Sequence, residues 1–348
     1  MGTWLGVTLK KEYPKDPKSF NLKQDEMKIA PIMSDWPVLQ AFYQKLAQEL
    51  HARGVGSLTT GGIACILYNL AQSTKDCDII IPIEKTQTVI EIISQLTFQG
   101  QQSHLTLKYG APLAEQWLNG GWSSHTYYGP VENPLARVDF FGKPPRVRNL
   151  EPDENPLYLA RNGVAQMKKT RREKDWAYAN LLGHQMLQRG DPGGLLHVMD
   201  AERLMKVAHE TEVNETLIKE RPLLKLALAS SPELERYLKA EKEFWYRLDG
   251  LRLTAYEKAW QPYGDALNQH PELLTMDFLS QNQAMIRLAE QTLDPAPVKQ
   301  PEWKVIVGKA KAETAEIFQN LEVTLLPTPS AFNGQEDEMK TSTVDPDL

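Results

Sequence analysis

Two aspartates separated by one residue stand at the start of an apolar run. The segment KDCDIII places Asp76 and Asp78 directly before three consecutive isoleucines. Such a run is typical of a buried strand, in which side chains alternate between the two faces, so both carboxylates lie on one face. They would be about 6–7 Å apart at a rise of about 3.3 Å per residue. Because two bare carboxylates repel each other, the pair predicts a divalent cation; taken alone, it also fits two solvated acids at a strand end.

A pair of glycines lies one short helix upstream of these aspartates. Gly61 and Gly62 follow the strand-like residues 57–60. They open a stretch whose apolar residues recur at helical spacing: Ile63, Ile66, Leu67 and Leu70. Adjacent glycines at a strand-to-helix turn allow close approach to the backbone, and the first N–H groups of a helix attract anions. The sequence therefore predicts a phosphate-binding turn beside the carboxylate pair.

This order of motifs resembles the nucleotidyltransferase superfamily with the polymerase-beta-like fold. The form TTGGIA followed by STKDCDIII is most similar to the AbiEii-type abortive-infection toxins, over about residues 35–190. The resemblance implies a third carboxylate on a later strand, and Asp139 in the segment ARVDFF fits that position. It further implies that three catalytic aspartates hold two Mg²⁺ ions, namely Asp76, Asp78 and Asp139.

The resemblance also implies a group of residues that bind the NTP: Gly61, Gly62, Thr74, Lys168, Arg172, Lys174 and Asp175. The last four belong to the segment MKKTRREKDW, which resembles a helix that closes over the sheet and holds the triphosphate. A solvated helix surface would carry the same charges without a function. Two departures concern the nucleotide contacts: the basic residue often found shortly before the aspartate pair is replaced around Gln72 and Ser73, and Cys77 replaces the usual aliphatic residue.

The implied activity is the transfer of a nucleotidyl group from an NTP to an acceptor. For a toxin-antitoxin or phage-defence protein the acceptor would be RNA, tRNA or a protein, with a cognate antitoxin as partner. Two alternatives stay open: a small hydroxylated drug as acceptor, and a regulatory protein that keeps the scaffold without turnover. The spacing of the seven histidines does not match a zinc site, and no Ser-His-Asp arrangement emerges from spacing.

The elements that would position these residues divide the chain into four parts. We expect an irregular arm at 1–33, an α/β nucleotidyltransferase domain at 34–150, an all-helical domain at 151–325 and a disordered acidic tail at 326–348. Strands are predicted at 57–60, at 77–82 and in the segments HLTLKY, SHTYYG and ARVDFF, with helices near 35–53 and 85–97. Further helices are predicted through the whole of AQMKKTRREKDWAYANLLGHQMLQ and from Pro232 to Gly250. The predicted fold is α+β, a mixed sheet with helices followed by an all-helical domain.

Composition limits the class of protein. At 348 residues with 41% hydrophobic content, two domains with a sizeable core are expected. A net charge of −6 argues against a protein that coats nucleic acid, which needs a basic surface. The chain shows no signal peptide and no membrane span, and Cys65 and Cys77 have the pattern of free, buried thiols, so we expect a cytoplasmic protein with no membrane partner.

Overall fold

The computed structural model describes residues 36–147 and 149–329. The predicted arm at 1–33 lies outside the described residues, as does the predicted tail from residue 330 onward. The described residues are 57% helix and 10% strand, which confirms the predicted α+β class.

Two of the three predicted catalytic aspartates, Asp78 and Asp139, lie on strands of the sheet. The bounds of the six strands are β1 Leu58–Thr60, β2 Cys77–Ile80, β3 Thr97–Phe98, β4 Gln101–Leu105, β5 Ser123–Tyr128 and β6 Ala136–Phe141. The helices are α1 Trp36–Ala52, α2 Gly61–Leu67, α3 Thr86–Gln95, α4 Glu115–Asn119, α5 Arg161–Met167, α6 Glu173–Gln188, α7 Ala201–Glu210, α8 Glu215–Glu220, α9 Leu224–Leu228, α10 Leu234–Asn268, α11 Phe278–Thr292 and α12 Gln300–Ile317. Short 3₁₀ helices lie at Ile83–Lys85, Pro192–Leu196, Pro271–Thr275 and Val323–Leu325.

The strands form one mixed sheet in the order β1-β2-β6-β5-β4-β3. Strands β2 and β6 run parallel, and the other neighbouring pairs run antiparallel. In β6, residues 136, 138 and 140 are buried while residues 137, 139 and 141 face a more open side. In β2, Asp78 is partly exposed between buried Cys77 and buried Ile79. Alternation along both strands therefore brings one aspartate from each to the same open side.

The basic segment after α5 differs from the predicted structure. The prediction of one continuous helix through AQMKKTRREKDW is wrong, because α5 ends at Met167 and α6 begins at Glu173. Thr170 Oγ1 donates to Asp175 Oδ2 at 2.7 Å and also accepts from the backbone N–H of Arg172 at 3.1 Å. Such side-chain bonds compete with helical backbone bonds, so they stabilise the break. We call residues 168–172 the basic connector.

The long helix α10 also differs from its predicted extent. The prediction that a helix ends at Gly250 is wrong, because α10 continues to Asn268. Leu248 and Tyr256, on either side of this glycine, are both buried, so tertiary packing outweighs the low helix propensity of glycine. Tyr256 also donates to the backbone oxygen of Gly120 at 2.9 Å, which ties α10 to the segment that precedes β5.

Helix α11 packs back onto the sheet through two side-chain amides. Gln281 accepts from the backbone N–H of Leu105 at 2.7 Å and donates to its oxygen at 3.1 Å. Asn282 makes the same pair of bonds with Leu113, at 2.9 and 3.0 Å. All four residues contribute to a buried junction between the helices and the sheet, where each backbone polar group has a partner. Across residues 36–147 and 149–329, no helix is both long and apolar enough to cross a membrane.

Candidate active site

The register of the two parallel strands places Asp78 directly opposite Asp139. Both side chains are partly exposed, on the open side of the sheet. Asp76 lies just before β2, and its Oδ1 accepts a hydrogen bond from Thr74 Oγ1 at 2.8 Å. In the described ranges, no group of three or more His, Cys, Asp or Glu side chains is arranged so that it could hold a metal ion. The structure thus pairs two of the three predicted aspartates and ties the third to the preceding turn.

Asp78 sits in an environment that disfavours its charged form. The pKa of this carboxyl is raised from 3.8 to about 8, first by burial and then by the nearby charges of Asp139 and Asp76. Lys168 and Arg172 act in the opposite direction and lower the pKa. At neutral pH the Asp78 carboxyl therefore holds a proton, which a bound cation would displace.

The two glycines make room for side chains of the site. Gly61 has φ +62°, and a Cβ at this position would lie 1.7 Å from Asp78 Oδ2. A Cβ on Gly62 would lie 2.2 Å from Thr74 Oγ1. Both positions therefore require glycine, because any side chain would displace Asp78 or Thr74. The space in front of this turn, where the sequence predicted phosphates, is occupied by the side chains that line the site.

A histidine that the sequence analysis left unassigned lies against Asp139. His125 on β5 is the register partner of Asp139, and its Nδ1 is 2.8 Å from Asp139 Oδ1. Its Nε2 lies 2.8 Å from Ser123 Oγ, and the ring of Tyr109 contacts it edge-on with the centroids 4.7 Å apart. A Cβ on Gly110 would approach the imidazole to 2.5 Å. His125 therefore has four close neighbours, namely Asp139, Ser123, Tyr109 and Gly110.

Ser123, His125 and Asp139 lie together in the structure, with His125 Nε2 2.8 Å from Ser123 Oγ and His125 Nδ1 2.8 Å from Asp139 Oδ1. Spacing could not show it, because the aspartate comes from a different strand. The signal in the sequence was the S-x-H pattern, which puts Ser123 and His125 on one face of β5, next to the strand that carries Asp139. Pairing the segments SHTYY and ARVDFF as an antiparallel hairpin would have brought the three residues together.

In the basic connector, the side chains of Lys168 and Arg172 point toward the aspartates, whereas that of Lys169 points away from them. Lys168 is buried, with Nζ 3.5 Å from Asp175 Oδ1, and Arg172 places Nε 2.7 Å from Asp175 Oδ2. Asp175 itself is fully buried. Lys169 points elsewhere and donates to the backbone oxygen of Leu196 at 3.0 Å. Asp175 therefore orients the two cations whose charges act on Asp78.

The predicted site residues separate into a group near the aspartates and one outlying lysine. Lys174 is exposed on the first turn of α6. The other predicted nucleotide-binding residues lie near the paired aspartates or support a residue that lies near them. They are Gly61, Gly62, Thr74, Lys168, Arg172 and Asp175.

Replacing Asp175 with asparagine should destabilise the protein by about 2–3 kcal/mol, because Lys168 would lose its buried counter-charge. Urea unfolding of the nucleotide-free protein would measure this loss. The matched control is Glu173→Gln, which alters an exposed ion pair with Lys242 and should change the free energy of unfolding by less than about 0.5 kcal/mol. Equal effects of the two substitutions would contradict the anchoring role of Asp175.

The site therefore combines a carboxylate pair on adjacent parallel strands, a glycine turn in contact with one carboxylate and a connector that supplies two cations. Comparisons of this chain with protein-family models, with curated proteins and with solved structures gave no match.

Proposed function

We propose that this protein is a metal-dependent nucleotidyltransferase, which moves a nucleotidyl group from an NTP to an acceptor. The observation that carries the proposal is the in-register pairing of Asp78 with Asp139 on two parallel strands. Lys168 and Arg172 stand close enough to lower the pKa of Asp78. Anionic oxygen ligands beside two cations are what a metal-bound triphosphate requires.

The residues fit Mg²⁺ by their chemistry. Carboxylate oxygens are the ligands that this hard cation takes from proteins. The pKa of Asp78 is raised by burial and then by repulsion from Asp139 and Asp76, and a cation would relieve that repulsion. Asp78 and Asp139 would hold the ion or ions, with Asp76 as the third carboxylate. When bound, the metal polarises phosphoryl oxygens and lowers the pKa of the acceptor hydroxyl.

The remaining residues position these groups. His125 contacts one oxygen of Asp139 and so fixes the orientation of that carboxylate toward the site. Lys168 and Arg172, held by Asp175, would neutralise the charge that develops on the leaving pyrophosphate. Gly61 and Gly62 keep this side of the site free of further side chains, so Asp78 stays in place.

The acceptor class is RNA or tRNA or a protein, as in toxin-antitoxin systems; a small hydroxylated compound is the alternative. In the regulatory alternative the protein binds NTP without turnover, so it would release no pyrophosphate.

Pyrophosphate release therefore tests the proposal. Incubating the protein with Mg²⁺, each NTP in turn and a cell lysate should release pyrophosphate with at least one NTP, and EDTA should stop the release. If no NTP yields pyrophosphate and none raises the melting temperature, the proposal fails; thermal stabilisation without pyrophosphate would favour the regulatory alternative.

Lys168→Met should weaken NTP binding by about ten-fold or more, because a buried cation next to the carboxylates is lost. Isothermal titration with a non-hydrolysable NTP analogue and Mg²⁺ would measure the affinity. Lys239→Met is the control, since Lys239 is exposed on α10 and pairs with Glu235 on the same helix. Wild-type affinity in Lys168→Met would show that the connector does not contact the nucleotide.

A further inference from the structure

A second enclosed space lies on the other side of the basic connector. Its volume is about 40 Å³, and none of Asp76, Asp78 and Asp139 lines it. One water needs about 10–15 Å³ by the same measure, so the cavity has room for a small polyatomic ligand. Residues 327–329 close one side of the cavity, and its polar wall includes six side chains that matter here: Arg146, Lys169, His197, Arg221, Glu241 and Trp245.

The lining carries a net positive charge. Among the described residues of the lining, three cations, Arg146, Lys169 and Arg221, face two carboxylates, Glu220 and Glu241, so the difference is one positive charge while His197 is neutral. Arg221 is occupied: its Nε and Nη2 donate to Glu241 and its Nη1 donates to two backbone oxygens. Its pairing with Glu241 compensates that carboxylate, and Arg146 is ion-paired with Asp249, so Lys169 supplies the positive charge for a ligand.

Arg146 and Lys169 are buried and keep hydrogen-bonding capacity. Arg146 donates from Nη1 to Asp249 Oδ1 at 2.7 Å and from Nη2 to the oxygen of Met167 at 3.2 Å, while its Nε finds no partner among the described residues. Lys169 uses one of its three N–H groups for the oxygen of Leu196 and lies 5.2 Å above the ring of Trp245. Two adjacent buried cations therefore offer unused donors.

Two further buried polar atoms lack a partner in the described part of the chain: Trp245 Nε1 and His197 Nδ1. His197 Nε2 lies 2.8 Å from Asn162 Oδ1, and because an amide oxygen only accepts, Nε2 carries the proton. Burial, followed by the charges of Lys169 and Arg221, keeps the pKa of His197 well below its ordinary value, so the ring is neutral. Nδ1 is then an acceptor, whereas Trp245 Nε1 is a donor. Unpartnered buried polar atoms are costly, so a ligand with both kinds of group is favoured here.

We propose that this cavity binds a tetrahedral oxyanion that carries a proton, of the inorganic phosphate class. Its oxygens accept from Arg146 Nε, Lys169 Nζ and Trp245 Nε1, and its hydroxyl donates to His197 Nδ1. Sulfate has the same shape but no proton at neutral pH, so it leaves the imidazole lone pair facing an oxygen. The cavity therefore selects phosphate over sulfate by one hydrogen bond. The site is separate from the proposed nucleotide site, because different residues form it.

Phosphate affinity in this cavity depends on the charge of Lys169. Burial lowers the pKa of Lys169 to about 8; Glu241 and Glu220 raise it, and Arg221 and Arg146 lower it. Within the described part of the chain, these groups and neutral His197 are the charged and titratable side chains that face it. Since the protonated amine is the form that binds an anion, affinity falls as the pH rises through about 8, by up to about ten-fold at pH 9.

The test is isothermal titration of the full-length protein with potassium phosphate and with potassium sulfate, at constant ionic strength and in EDTA without nucleotide. Phosphate should bind at least ten-fold more tightly than sulfate. Trp245→Phe removes an N–H that bonds to no described group, so folding should survive while phosphate affinity drops at least five-fold. Lys169→Met should abolish phosphate binding, and Lys309→Met, an exposed lysine on α12, should leave it unchanged.

Equal affinity for phosphate and sulfate, absence of phosphate binding, or wild-type phosphate affinity in Trp245→Phe would each overturn the proposal. Asp78→Asn separates it from the proposed function. That variant should retain full phosphate affinity while losing transfer, so either proposal can fail without the other.

Discussion

Asp78→Asn should abolish nucleotidyl transfer and leave the metal-free protein at least as stable as the wild type. Transfer is lost because an amide cannot supply the anionic ligand that a hard cation needs. Stability is kept because the charged form of Asp78 destabilises the folded protein when no metal is bound. Burial and the neighbouring carboxylates raise its pKa for the same reason. An ordinary structural aspartate behaves in the opposite way, since its removal lowers stability.

The direction in which folding shifts the pKa of Asp78 determines how the stability of the metal-free protein changes with pH. The folded-state pKa of about 8 lies above the ordinary 3.8, so the folded metal-free protein binds this proton more tightly than the unfolded chain. The contribution of Asp78 to stability is then favourable below about pH 4, declines as the pH rises and is lost above about 8. Asp78→Asn removes this decline, and the gain at pH 9 should be about 1–2 kcal/mol after solvent screening.

Thermal melts in EDTA at pH 6 and pH 9, beside a pyrophosphate assay with Mg²⁺, would measure both effects. Asp265→Asn, an exposed position on α10, is the control and should change neither. A loss of about 1 kcal/mol or more in Asp78→Asn, with transfer that persists in proportion to the folded protein, would mean that Asp78 serves the fold rather than a metal.

Gly61→Ala should have the largest combined effect on stability and activity. The added Cβ would lie 1.7 Å from Asp78 Oδ2, and the backbone φ of +62° is strained for alanine. The strain costs about 1–2 kcal/mol and the contact about 1–3 kcal/mol, so we expect a loss of about 2–5 kcal/mol. Transfer should fall at least 100-fold, because the carboxylate must move to relieve the contact.

Gly54→Ala separates the two parts of this effect. Gly54 has a similar φ of +67° with nothing within 4 Å of its added Cβ, so alanine there introduces the strain alone. Urea unfolding of both variants gives the cost of the contact by difference. A double-mutant cycle with Asp78→Ala should then show that Gly61→Ala costs less once the carboxylate is absent. If Gly61→Ala costs no more than Gly54→Ala, the close approach of the turn to Asp78 is refuted.

Local patterns in the sequence were enough to predict the strands that carry the aspartates. The β-branched run after Asp78 and the alternation in ARVDFF fix both strands and the face to which each aspartate points. The parallel pairing that sets Asp78 opposite Asp139 was not predicted, since register between distant strands depends on the whole sheet. The free, buried thiols Cys65 and Cys77 were predicted from their apolar surroundings and are confirmed.

The features that were missed depend on contacts between residues far apart in the chain. The break after α5 is stabilised by the bonds of Thr170 and accompanied by the contact of Lys169 with the oxygen of Leu196, and none of these contacts leaves a periodic signal. His125 was passed over because its partner Asp139 lies on the neighbouring strand. The continuation of α10 through Gly250 depends on packing, which outweighs a local preference.

The most direct measurement of the proposed chemistry is the fate of a radiolabel in the NTP. The protein is incubated with Mg²⁺ and a lysate acceptor fraction, once with the label on the α-phosphate and once on the γ-phosphate. Nucleotidyl transfer forms a bond from the acceptor to the α-phosphorus and releases pyrophosphate, so the α label should appear on the acceptor and the γ label in pyrophosphate. Asp78→Asn should give neither product. Label from the γ-phosphate on the acceptor, or α-label transfer that survives in Asp78→Asn, would contradict the account.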